Sequence, residues 1–481
     1  MPVFSLPSPY GIGTLGKAAY DFIDFLKASG QKYWQMLPLG PTGYGDSPYQ
    51  SISTFAGNPY LIDLDMLIAD GLLTEEDVLP CKTDNDKAVD YGFLWNTRYA
   101  VLKKAAERGL ERDAEALDAF RSAYPWLRDY ALYMALKKHF DWKSWNEWPD
   151  TDLKLHKKDA CSEYAVKLKE DVEFYEYLQY LFYKQWDLLR AYANENGIGI
   201  IGDLPIYVSM DSSDVWAEPQ LFELTEEGIP TEVSGVPPDY FNADGQLWGN
   251  PLYRWSEHEK DGYAWWINRV GAVLKLYDVL RFDHFRGMES YWTVPYGEKT
   301  AKNGKWVKGP GMKLIGAVKK AFPNNAFIAE DLGYLTEEVK KLLSDSEFPG
   351  MKVLEFAFDS REPSDYCPHT YPRSCVCYTG THDNSTALGG AEDATEDSLK
   401  RAGMYLGLSK AEGISWGMIR GGMSSVADLF IAQMQDYLEI GAEGRVNTPG
   451  IPQGNWTWRM KDGVLTKEHS EKICSMAELF G

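Results

Sequence analysis

Short apolar runs recur along the chain, each closing on a polar residue next to Gly or Pro. They are Tyr33 to Pro38, Ile198 to Asp203, Val279 to Asp283, Ala326 to Glu330, Lys352 to Phe358 and Cys375 to Thr379. Near-continuous apolar runs of this length fit strands buried on both faces, as in a parallel sheet. Helical spacing lies between several of them, for example over residues 313–321 and 337–343. That alternation predicts an α/β fold. Acids cluster at the strand C-terminal ends, which favours a (β/α)8 TIM barrel over an open sheet. One barrel domain is expected to span residues 1–481.

Two stretches break the rhythm. Residues 66–195 hold no convincing strand. Leu132, Ala135, Leu136 and His139 fall at helical spacing, as do Phe174, Tyr177, Leu178, Leu181, Gln185 and Leu188. A long helical insertion is expected there. Residues 205–260 are rich in Pro, Gly, Asp, Trp and Tyr, and read as a long irregular loop insertion over a cleft.

Composition narrows the partners. The net charge of −22 argues against nucleic acid and against anionic membranes, since both are held by basic faces. Six cysteines without a CxxC pair are too sparse for a disulfide framework, so a reducing, cytoplasmic compartment is expected. Cys375 and Cys377 alternate and should share one side of a strand. The N-terminal segment lacks the basic-then-apolar pattern of a signal peptide, and no run is long and apolar enough for a membrane helix. Aromatic residues make up 14% of the chain, enough for both a large core and stacking on a ligand.

Two pattern matches fail on context. Gly11 to Gly16 fits GxGxxG but has no proper strand before it. Gly413 to Gly417 fits GxSxG but follows a helix-like start rather than a buried strand. The stronger signal is the set Asp203, Asp283, Glu330 and Asp383, each at or just beyond the end of an apolar run. A buried carboxylate without a partner is costly. A paired-carboxylate site explains such residues, and so does ion pairing with Arg281 or Arg286. Four acids converging on one barrel end favour the site. His284 and His382 each adjoin one of these acids, which suits hydrogen bonding of a ligand. The histidine spacing offers no zinc pair, and neither metal nor cofactor is expected.

The blocks Ile201 to Pro205, Leu280 to Gly287, Ala329 to Gly333 and Tyr378 to Asn384 resemble the four conserved blocks of the α-amylase superfamily. Residues 40–50, 235–241, 246–253 and 455–459 are similar to the amylomaltase, or 4-α-glucanotransferase, branch of it. The likeness runs through nearly the whole chain in order. It departs at the start, where the first barrel strand of the family looks shortened at Met1 to Ser5.

The resemblance implies a retaining two-step transfer of α-1,4-glucan segments to glucose or a malto-oligosaccharide acceptor. Asp283 would be the nucleophile, Glu330 the acid and base, and Asp383 the stabiliser of the transition state. For retention the two reacting carboxyls should lie about 5–5.5 Å apart. Arg281 would hold Asp283 ionised, His284 and His382 would touch ring hydroxyls, and Asn384 belongs to the same block. Asp203 would shape the base of the site. Asp239, Gln246, Trp248 and Asn250 would face glucose units from a loop over the cleft. Ser47 and Tyr49 would line the acceptor side, with Asn447 nearby. The four acid blocks alone leave two alternatives open: an α-amylase-like hydrolase, and a non-catalytic glucan-binding protein.

Overall fold

The computed structural model describes residues 1–238, 242–333, 335–359, 364–451 and 453–480. Within these residues the strands are β1 (Tyr33–Gln35), β2 (Gly199–Leu204), β3 (Glu232–Val236), β4 (Gln246–Pro251), β5 (Val279–Phe282), β6 (Ser290–Pro295), β7 (Lys305–Lys308), β8 (Ala326–Ala329), β9 (Gly350–Val353), β10 (Cys375–Tyr378) and β11 (Leu429–Ile431). Strands β1, β2, β5 and β8 pair in that order, all parallel. Strands β9, β10 and β11 form a second parallel set. The two sets meet where Ala329 N donates to Pro349 O at 2.9 Å.

Alternation along these strands sorts the side chains. Ile201, Ile328, Met351, Val353, Val376 and Tyr378 point inward and pack as one cluster drawn from both sets, joined by Val279, Leu429 and Ile431. This is the filled interior of a barrel. The neighbours Ile200, Leu204, Leu280, Phe282 and Phe327 point outward into the core beneath the helices. Helices Lys169–Glu195, Ala264–Leu274, Met312–Ala321, Glu337–Ser346 and Gly413–Met423 precede β2, β5, β8, β9 and β11. The architecture is the expected (β/α)8 barrel.

Several elements differ from the sequence expectation. The run from Lys352 to Phe358 is strand only to Val353; Leu354–Phe358 turns into a 3-10 helix. Strand β11 lies outside that expectation, because its run closes on Gln433 with no acid, Gly or Pro beside it to mark a strand end. The first residues form no strand. Val3–Ser5 is a 3-10 turn between Pro2 and Pro7, tied down by the Ser5 Oγ bond to Trp458 O (2.7 Å). Residues 205–260 are not simply irregular either. They contain β3 and β4, which join β6 and β7 in an antiparallel sheet of order β4-β3-β6-β7. Pro237 and Gly245, flanking the hairpin turn, disguise that pattern.

Residues 66–195 hold helices, the longest being Lys169–Glu195. On it Phe174, Tyr177, Leu178, Leu181 and Gln185 are buried, but Leu188 is 51% exposed and Trp186 and Leu189 take the core positions. Helix Leu127–His139 is buried nearly all round rather than along one stripe. Two buried glutamines on the long helix bond to backbone in both directions. Gln179 pairs with Gly57 N and O (2.7 and 2.9 Å), and Gln185 with Asp63 N and O (2.7 and 3.0 Å). Such amide pairs satisfy an irregular segment that has no sheet partner. Among the described residues no helix is long and apolar enough to cross a membrane.

Gly202, one residue before Asp203, leaves no room for a side chain: a Cβ there would lie 1.9 Å from the Tyr277 ring. Gly202→Ala is expected to cost about 1–3 kcal/mol through overpacking. Urea denaturation measures this; an unchanged midpoint would show that the strand and ring separate freely.

Candidate active site

The site is built on Arg281. Its guanidinium is 3% exposed, at the inward-facing third position of β5. Nη1 bonds both oxygens of Asp203 at 2.6 Å and Asp283 Oδ1 at 3.2 Å. Nη2 lies 3.5 Å from Glu330 Oε2. The ends of β2, β5 and β8 are adjacent, so their inward residues meet around one fork. Arg281 therefore grips Asp203 most tightly, not Asp283 as its place in sequence suggests. The other flanking base, Arg286, turns away and lies over the Trp306 ring at 4.0 Å.

Tyr49 joins from the loop after β1. Its hydroxyl donates to Asp203 Oδ2 at 2.7 Å and lies 3.3 Å from His382 Nδ1. The Tyr49 and His382 rings stack at 4.9 Å, with Trp456 at 5.8 Å from the first and 5.9 Å from the second. His382 Nε2 is 3.3 Å from Asp383 Oδ1. Among the described residues, the contacts to the Asp383 carboxyl fall on Oδ1. Asn447 Nδ2 donates to its Oδ1 at 2.6 Å, and Arg445 Nη2 donates to its carbonyl at 2.7 Å. About half of its side chain remains open to the cleft.

His284 has a positive φ of 46°, in the left-handed region that side-chain-bearing residues seldom adopt. That turn points its N–H at Glu330 Oε2. Its ring meets the edge of Trp248 at 4.9 Å. Trp248 in turn donates to Gln246 Oε1 at 3.1 Å. These three form the wall of the site on the β4 side.

Three sequence candidates have their polar atoms engaged in framework bonds. Asn250 is buried and bonds Val208 O, Ser234 and Gln50. Asn384 Oδ1 accepts from both Thr381 N and Thr381 Oγ1, fixing the turn that carries His382 and Asp383. Ser47 Oγ accepts from Tyr49 N at 3.2 Å and shapes the loop that presents Tyr49. Asp239, with the neighbouring Tyr240 and Phe241, lies outside the described residues. Sequence reasoning passed over Gln50, Arg445, Trp456 and Met351. The first three sit inside or beside quoted segments, but their contacts span up to several hundred residues and leave no local signal.

Burial governs the electrostatics. It pushes the Glu330 carboxyl up to about 7, against the pull of Arg281 and the His284 N–H and with Asp383 adding to it. Burial also raises Asp283 well above the ordinary carboxylate range, opposed by Arg281 and reinforced by Asp203 and Glu330. Two such neighbours share protons as a pair. Burial lowers His382, and lowers His284 to about 3, so the His284 ring is neutral at working pH. Burial and the Asp203 charge raise the Tyr49 hydroxyl. It stays protonated and donates.

The model for 4-alpha-glucanotransferase, glycoside hydrolase family 77, matches residues 1–466. The chain belongs to this family. It is 50% identical to a 4-alpha-glucanotransferase of Clostridium butyricum over 485 residues, covering all of this chain and 99% of that one. It is 47% identical to the 4-alpha-glucanotransferase of Thermus thermophilus, covering 98% and 96%. Among solved structures, an amylomaltase from Streptococcus agalactiae in complex with acarbose superposes with a TM-score of 0.97. That protein is 40% identical, with 100% of this chain and 98% of the other covered.

The raised Glu330 carboxyl carries a stability cost. Its ordinary value is 4.5, so between pH 4.5 and 7 the unfolded chain gives up a proton that the folded site retains. Folding stability therefore falls across that window. Glu330→Gln is expected to raise the melting temperature at pH 7 by a few degrees, with the gain shrinking toward pH 4.5. Equal gains at both pH values in scanning calorimetry would contradict the assignment.

Proposed function

We propose that this protein moves α-1,4-glucan segments from a malto-oligosaccharide donor to the 4-hydroxyl of glucose or another malto-oligosaccharide, with retention. The observation that carries the reading is the single buried guanidinium shared by Asp203, Asp283 and Glu330. It gathers the two reacting acids within 3.5 Å of one group, as a short carboxyl separation requires. Membership of the 4-alpha-glucanotransferase family supports the choice of reaction.

Asp283 attacks the anomeric carbon while Glu330 protonates the departing glycosidic oxygen. The C1–O bond to the leaving sugar breaks and an ester to Asp283 forms. The acceptor 4-hydroxyl then attacks C1, its proton passes to Glu330, and Asp283 leaves as carboxylate. Arg281 is nearer Asp283 than Glu330, so the negative charge belongs on Asp283 and the proton on Glu330. Asp383, open to the cleft and steadied by Asn447, accepts hydroxyls of the donor ring and offsets the developing positive charge. Tyr49, His382 and Trp456 offer flat faces to a sugar. Trp248 and Gln246 wall the site beside His284 and favour a sugar acceptor over water. The amylomaltase of Streptococcus agalactiae, 40% identical, is known in complex with acarbose. The six free cysteines, five of them buried, agree with a cytoplasmic setting.

Incubation with maltotriose tests the reaction. Glucose plus chains longer than three units is the expected outcome; glucose and maltose with no longer product indicates hydrolysis. Asp283→Asn should lower transfer at least about a thousandfold, the scale of losing a covalent step. The rate should also fall as pH rises through about 7, where Glu330 gives up the proton it must donate. A flat profile from pH 6 to 9 would remove Glu330 from that role.

A further inference from the structure

The fork of Arg281 has a contact that the scheme above does not use. Its Nε–H donates not to a carboxylate but to Met351 Sδ, at 3.3 Å. Met351 is 1% exposed on β9, inside the apolar layer of Ile201, Ile328, Val353, Val376 and Tyr378. Its backbone is fixed as well: Met351 N donates to Asp331 Oδ1 at 2.6 Å, next in sequence to Glu330. The thioether is thus held under the guanidinium by the strand that neighbours the acid.

We propose that Met351 is a positioning residue for the transfer reaction, accepting the Arg281 Nε–H and so fixing how the guanidinium divides itself among Asp203, Asp283 and Glu330. The proposal rests on the double-displacement reading above. A leucine of similar volume would leave a buried N–H facing carbon, and an unmade bond at a charged donor is costly. A carboxylate there would compete with the three above. A thioether is a weak acceptor that satisfies Nε while leaving the fork's charge directed upward. Without it the fork would settle on its shortest contacts, to Asp203 and Asp283, and withdraw from Glu330, its longest at 3.5 Å. The groups facing Glu330 are Arg281, Asp203, Asp283 and Asp383, with the Tyr366 hydroxyl, which burial keeps protonated. Of these only Arg281 is positive, so its withdrawal holds the proton on Glu330 to higher pH.

Met351→Leu tests this with purified full-length protein and maltotriose. The expected result is a kcat about five- to tenfold lower, KM within about twofold, and an alkaline limb moved upward by about half a pH unit. Val376→Ala, in the same layer without a polar contact, should lower the melting temperature and leave that limb in place. Wild-type kcat and limb in Met351→Leu overturn the proposal, as does an equal limb shift in Val376→Ala. If Met351→Leu does not fold, Met351→Gln is measured instead. Its carbonyl can take the Nε–H, and kcat within about threefold of wild type supports the role, whereas a greater loss overturns it. Wild-type transfer and its loss in Asp283→Asn, run alongside, test the underlying reading separately. The ratio of the Met351 variants to wild type bears on this proposal alone.

Discussion

A guanidinium taken out of water needs negative charge around it, and carboxylates brought together need positive charge between them. At the mouth of this barrel Arg281, Asp203, Asp283 and Glu330 meet both needs at once. Removing the arginine from such a buried set typically costs about 3–5 kcal/mol, because the carboxylates around it are stranded. Asp203 takes the tightest bond and thereby frees Asp283 and Glu330 from being fully neutralised. In the proposed reaction an arginine bound equally to all three would leave neither a ready nucleophile nor a ready acid. The unequal distances, 2.6, 3.2 and 3.5 Å, are what allow one fork to serve structure and chemistry together.

The barrel supplies this arrangement through strand alternation. Each of β2, β5 and β8 sends every second side chain inward, apolar low in the barrel and ionic at the top. The apolar layer excludes water from below, which raises the acids. The loops after β1 and β10 then bring Tyr49, His382 and Asp383 to the rim. Asp383 sits farther out and stays half open, as the proposed contact with the donor ring requires.

Much of this was legible in the sequence. Parallel strands buried on both faces write themselves as apolar runs, so six of the barrel strands and the acids at their ends could be read directly. Strand β11 could not, because the run Leu429–Ile431 closes on Gln433 without the acid, Gly or Pro that marks the other strand ends. The hairpin of β3 and β4 was hidden by its Pro and Gly content. Residue types were enough to nominate Asn250 and Asn384, but not to reveal that their amides are spent on framework bonds. The preference of Arg281 for Asp203 over Asp283 was likewise out of reach. Sequence adjacency favours the residue two places away, whereas geometry favours the one directly across the strand pair, where Asp203 and Arg281 are in register.

The two glutamines of the long helix have a consequence for how the molecule comes apart. Gln179 and Gln185 each give and take a backbone bond with residues 57–63, the continuation of the loop that carries Tyr49. Breaking either pair strands a donor and an acceptor in the dry interior, so partial loosening is penalised at every step. The helical insertion is therefore geared to the loop that carries Tyr49 rather than appended to it. Heat or denaturant that melts the one releases the other, so helix and loop are lost in a single transition.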